Sequence, residues 1–248
     1  MENKKIIQNQ EISPLQYSSV ISLTFLVIME WVLILSTLLI LGLTINWPAS
    51  LGDPASVVLP LIKNQWIAVM IGYSLYLIYS ILVFPLIILL CTMMKGQSFN
   101  RIELIEIAKG FSLASMIFRL LGILRWLTVM QVLSGEYRQE SNRKQVRLLF
   151  ESFNSYAGSL GETLGVSLLM GMTIFLISYY MIKEFDMLPK WIGYMGIISS
   201  ILLTLGILPM YGIDLFVVSV LSIVVLHVWY AIISFYFYKI YKNNKIKE

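Results

Sequence analysis

Glu30, Arg119 and His227 each stand near the middle of a long apolar run, and Arg125 and Glu162 stand closer to the ends of such runs. A guanidinium in hydrocarbon costs a few kcal/mol on insertion scales and more in simulations, so it persists where it faces protein or trapped water and has a partner. Arg119 lies about nine residues inside its run, roughly 14 Å at 1.5 Å per residue, too deep for its stem to carry the charge back to the interface. Two arrangements answer it. A buried Glu30–Arg119 strut would fix helix register, with His227 bonded to a neighbour. A polar pocket at the midplane would let Arg119 bind an anion or a lipid headgroup, and proton relay through Glu30 and His227 is a further use of the same residues. Arg125 points about 120° away from Arg119, because six residues turn by about 100° each. It therefore needs a partner of its own, and Glu162 is the expected one. Tyr76 and Ser80 share a helix face with Tyr73, and Trp126 shares one with Ser112, Ser115, Arg119 and Gly122. The candidate ligand-binding set is thus Arg119, Glu30, His227, Tyr76, Ser80, Trp126, Arg125 and Glu162.

Other chemistries find too few residues. One histidine, His227, and one cysteine, Cys91, leave too few ligands for a protein-only zinc site, exclude a bis-histidine haem within one chain and exclude an internal disulfide. No cofactor is expected. There is no Gly-x-Ser-x-Gly elbow, His-Glu-x-x-His or Walker motif. An intramembrane enzyme would have to use Glu30 and His227 as its acid and base. No inverted repeat of the kind found in many secondary transporters is visible.

The elements that must position these residues are read from hydropathy. The chain of 248 residues is 58% hydrophobic and 13% charged, with mean hydropathy +0.80, against roughly 25% charged residues in a soluble domain. These values predict an all-α, polytopic membrane bundle in a single domain over residues 17–241, between a polar tail, 1–16, and a basic tail, 242–248. Six spans are expected at about 17–45, 66–94, 104–133, 161–182, 191–208 and 215–238. The first is nearly twice as long as a signal-peptide core and is read as uncleaved. Trp47 and Pro48 close it, the tryptophan at the interface. Residues 49–65, rich in Gly and Pro, read as an extramembrane loop that dips into the interface or caps the bundle. Val146, Leu149, Phe150, Phe153 and Ala157 recur at a 3–4 period among Arg143, Lys144, Arg147 and Glu151. That pattern predicts an amphipathic helix, on the membrane surface or packed on the end of the bundle. Gly161 and Gly165 permit close helix approach, for packing within the bundle or between copies in a homo-oligomer.

Six spans put both termini on one side. Lys4, Lys5, Lys95, Arg101, Lys109, Lys183, Lys190, Lys239, Lys242, Lys245 and Lys247 fall on that side, against Lys63, Arg138, Arg143, Lys144 and Arg147 on the other. The positive-inside rule makes the termini cytoplasmic, in an inner (plasma) membrane.

The segment from Gly158 to Leu208, GSLGETLGVSLLMGMTIFLISYYMIKEFDMLPKWIGYMGIISSILLTLGIL, resembles a bacterial family of six-span membrane proteins, domain of unknown function four-three-eight-six. The shared pattern is a glycine-rich helix start, a short basic loop, and Pro189-Lys190-Trp191 opening the next span. The Phe118-Arg119 pair of the third span also looks like that family. The likeness covers about the C-terminal two-thirds of the chain. It implies a six-span architecture and no activity, so no site residue is carried over.

Three functions remain: binding a small amphipathic or anionic molecule or lipid in a midplane pocket, as a carrier, sensor or resistance factor; service as a non-catalytic membrane subunit acting through a protein partner; or the Glu30–His227 acid–base enzyme. Membrane lipids are the expected partners, and nucleic acid is not.

Overall fold

The computed structural model describes residues 14–95, 101–213 and 216–245. Lys4, Lys5 and Lys247, counted above for topology, lie outside them. The described residues are mainly helical, with no strand among them. Nine α-helices are described: α1 (Pro14–Ile45), α2 (Ala55–Asn64), α3 (Trp66–Lys95), α4 (Ile102–Leu127), α5 (Val129–Glu136), α6 (Arg143–Gly158), α7 (Gly171–Glu184), α8 (Lys190–Leu205) and α9 (Phe216–Lys245). A π-helical segment, Ser159–Met170, joins α6 to α7 without a break.

Six stretches are long and apolar enough to cross a membrane: Ser18–Ile45, Trp66–Met94, Ile102–Glu136, Glu140–Glu184, Lys190–Tyr211 and Val217–Asn243. Their packing order closes on itself. α1 packs on α3, α3 on α4, α4 on the π segment and α7, α7 on α8, α8 on α9, and α9 on α1. The outward face of α1 shows why this ring needs lipid around it. Phe25, Ile28, Val32, Leu35, Leu39 and Leu43 recur at helical spacing and are all exposed, an apolar stripe that none of the described residues covers. Water would penalise that stripe, and hydrocarbon accepts it.

One end of the ring carries a cap. Residues 49–65, expected as a loop, contain the short helix α2, whose Val58, Leu59 and Ile62 are fully buried. Pro60 and the brevity of the apolar run hide this helix in the sequence. It packs against α5 and α6, and the Gln65 amide donates to the Thr44 carbonyl (3.0 Å). α6 is the expected amphipathic helix, and it turns Val146, Phe150 and Ala157 inward onto the bundle's end. Leu149 and Phe153, expected on the same face, are exposed together with Leu148 and Tyr156. Trp47 differs from expectation too. Asn46 takes a left-handed conformation (φ 58°), which asparagine tolerates at helix ends, and its N–H closes on the Gly42 carbonyl (3.1 Å). The chain then turns Trp47 into the cap, where it is buried and meets Tyr76 edge-on at 5.4 Å.

Candidate functional site

The site is built where α4 lies against the π segment. Gly122, Gly161 and Gly165 let the two backbones touch: a Cβ on Gly122 would meet the Gly161 Cα at 2.7 Å, and one on Gly165 would meet the Arg119 Cγ at 2.9 Å. The Ser115 hydroxyl donates to the Gly165 carbonyl (2.7 Å) and fixes the register. The small residues expected to allow close approach therefore work within one bundle. The π segment includes Glu162, and π turns are rare and frequently found at functional sites.

Arg119 leaves this contact toward α3. Its side chain is buried, and its guanidinium carbon stands 5.0 Å from the centroid of the Tyr79 ring. Its charge reaches Tyr76, Tyr79 and Glu30, yet Nε has no hydrogen-bond partner. Arg119 also walls a recess under the cap, with Trp47, Tyr73, Tyr76, Trp126 and Glu162. The recess holds ≈ 340 Å³ of empty space, open solvent included, of which ≈ 30 Å³ admits the centre of a water molecule. That inner part seats about two waters.

Arg125 is not on the recess wall but meets Glu162, which is, as its helical angle required. Its Nη2 donates to Glu162 Oε1 at 2.8 Å, with the arginine side chain 3% and the glutamate 47% exposed. The guanidinium also lies 5.2 Å from the Trp126 ring, which stacks on Tyr73 at 5.0 Å and 7°. Gly158 leaves the space it occupies: a Cβ there would stand 3.4 Å from Nη2.

A second cluster lies on the far side of Tyr79, between α1, α3 and α9. His227 stacks on Tyr79 (5.7 Å, 20°) and is met edge-on by Trp31 (5.4 Å) and Tyr230 (6.2 Å). Its Nδ1 lies 2.7 Å from the Ile223 carbonyl. A carbonyl only accepts, so Nδ1 carries the proton and Nε2 of the neutral ring is an acceptor. Both Glu30 oxygens, His227 Nε2 and the Tyr230 hydroxyl are buried without hydrogen-bond partners. Glu30 and Arg119 are therefore close enough to act on each other electrostatically but do not form the hydrogen-bonded strut that the sequence offered as one arrangement. Ser80 is buried, its hydroxyl likewise unpartnered, and it is not on the recess wall. No group of three or more His, Cys, Asp or Glu side chains suited to a metal ion occurs among the described residues.

Residues 20–242 match the family described as Domain of unknown function (DUF4386). The chain belongs to this family. The match runs past the C-terminal two-thirds that the Pro-Lys-Trp motif had marked and takes in α1, α2 and α3, so both clusters lie inside the DUF4386 region. No curated protein and no solved structure matches the chain.

Within the DUF4386 region the structure brings Arg119, Tyr76, Trp126 and Glu162 to one recess, with Arg125 held against Glu162. Glu30 and His227 are not on its wall. Tyr73, Trp31 and three further residues absent from the sequence-derived set join these groups. Tyr79 bridges them, and its position three after Tyr76 was a usable signal. Tyr230, three after His227, follows the same i, i+3 rule. Trp47 gave no signal, because its inward turn depends on the backbone at Asn46.

Proposed function

We propose that this is an inner-membrane protein with both termini in the cytoplasm, and that it binds the anionic head of an amphipathic molecule or lipid in the recess beside Arg119. One observation carries this reading. Arg119 is a buried cation with no hydrogen-bonded carboxylate among the described residues, and it lines a recess that reaches the cap. Its face toward Tyr79 is stabilised by the ring's quadrupole, and a cation–π contact leaves the positive charge available to an anion. Arg125 lends no competing site, because Glu162 already neutralises it. Aromatic walls from Trp47, Tyr73, Tyr76 and Trp126 suit the apolar part of such a ligand next to the head. A sealed core would favour a subunit that acts only through a protein partner, and the recess argues for binding. Glu30 and His227 stand off the recess wall, which leaves an acid–base enzyme without substrate access.

The test is mass spectrometry of anionic amphiphiles carried through purification in a mild detergent. A charge-assisted hydrogen bond contributes about 1.5–3 kcal/mol, so Arg119→Gln should retain about 10–100-fold less than the wild type. Equal retention by both proteins would refute the reading.

A further inference from the structure

Arg119 faces two ways. On one side it walls the recess, and on the other its charge reaches Glu30, a carboxyl with 0% exposure and no hydrogen-bond partner on either oxygen. An ionised Glu30 and an anion in the recess would compete for the same guanidinium. We propose that anion binding at Arg119 is coupled to protonation of Glu30, so that the protein takes up one proton with each anionic head. This rests on the binding reading above and adds a proton to it.

The surroundings of Glu30 single it out as the proton's site. The titratable and charged groups that act on it are Tyr79 from α3, Arg119 from α4 and Tyr230 from α9; Tyr76 neighbours Arg119, Cys91 neighbours Tyr230, and His227 stacks on Tyr79. Arg119 keeps its charge at every ordinary pH, and the tyrosines and the buried cysteine are neutral donors. His227 already spends Nδ1–H on the Ile223 carbonyl. A proton on His227 would place a second cation within reach of Arg119, whereas a proton on Glu30 removes the charge that competes for it. When Glu30 is neutral, the Arg119 charge is balanced by nothing but the anion, and the pair binds as a neutral unit. Such an exchange also suits hydrocarbon, where a net charge at the midplane is penalised. Thermodynamic reciprocity then requires that the anion favour the proton as much as the proton favours the anion.

The probe is decanesulfonate, whose head does not titrate, added to the full-length protein in detergent and followed by titration calorimetry in two buffers of different ionisation enthalpy. The wild type should take up as much as one proton per sulfonate, with the dissociation constant rising toward tenfold per pH unit across the range where Glu30 titrates. Glu30→Gln should bind with no proton uptake and with an affinity independent of pH. His227→Gln should keep the uptake. Zero uptake by the wild type throughout about pH 5–9 would overturn the coupling while leaving the binding reading intact, and this measurement needs no variant. Uptake that survives Glu30→Gln and disappears in His227→Gln would move the proton to the histidine and refute the assignment. Failure of the wild type to bind the sulfonate at any pH would refute the binding reading and the coupling with it.

Discussion

Arg119 of α4 rests its guanidinium against the face of Tyr79 of α3, 5.0 Å from the ring centroid, and not against the carboxylate of Glu30. Tyr79 in turn stacks on His227, so one aromatic ring joins the guanidinium to the histidine cluster. A desolvated cation–π contact is worth about 2 kcal/mol or more. Tyr79→Leu should therefore lower stability in detergent by at least about 2 kcal/mol. Tyr79→Phe, which keeps the ring, should lose about 1 kcal/mol or less. Thermal unfolding of the two variants separates them, and equal losses would assign the effect to the hydroxyl.

The contact between α4 and the π segment is made of backbone. A methyl group on Gly122 would fall 2.7 Å from the Gly161 Cα, and one on Gly161 would fall 2.9 Å from the Gly122 Cα. Neither neighbour is a side chain that can turn away, so the helices must part. Overpacking of this kind costs about 1–3 kcal/mol, and Gly122→Ala and Gly161→Ala should each melt earlier by that measure. Gly110, on the same helix, has open space where a methyl group would go, with no neighbouring atom within 4 Å. Gly110→Ala should be neutral, or stabilising by as much as about 1 kcal/mol from helix propensity.

The ion pair of Arg125 with Glu162 is asymmetric, with the arginine buried and the glutamate half exposed. Breaking a fully buried pair costs about 3–5 kcal/mol. Solvent at Glu162 screens part of the attraction, which brings the expected loss for Glu162→Gln to about 1–2 kcal/mol. Arg125→Gln should cost less than Glu162→Gln, because the carboxylate it leaves behind can turn to solvent. Chemical denaturation of the two variants decides the order.

What the sequence revealed of this arrangement follows from what each feature depends on. The six spans depend on uninterrupted apolar length, which is local. The meeting of Arg125 with Glu162 depends on topology and helical angle, and both are calculable from residue spacing. The burial of Trp47 depends on one left-handed residue, and α2 depends on the surface that α5 and α6 offer it. Neither leaves a periodic trace. The relation of Glu30 to Arg119 depends on the rotation of α1 against α3, which packing sets. Equal depth suggested contact, whereas the Tyr79 ring takes the position facing the guanidinium.

The sidedness of the bundle is open to direct measurement. Lysine and arginine favour the side of the termini, and the cap with α2, α5 and α6 falls on the other. Reporter fusions at Glu248 and within residues 136–145 should give opposite signals, cytoplasmic for the first and external for the second. The same signal from both would contradict the three spans that lie between these sites.

The coupling of Glu30 to Arg119 is the sharpest test of how the two clusters communicate. A direct buried strut would make each single substitution cost about 3–5 kcal/mol and the double substitution much less than the sum. Here the carboxylate has no hydrogen bond to lose, and Arg119 keeps Tyr79 when Glu30 changes. Glu30→Gln should therefore be the milder variant. Arg119→Gln should be the harsher one, because it forfeits the cation–π contact and leaves Glu30 without its neighbouring cation. What remains between them is a through-space attraction, and the double mutant should lose less than the sum by about 1 kcal/mol. Unfolding of the four proteins under one set of detergent conditions closes the cycle. A coupling as large as that of a direct strut would mean the side chains meet in the folded protein. Strict additivity would mean that Tyr79 insulates the two charges, and Glu30 could then carry no proton linked to an anion at Arg119.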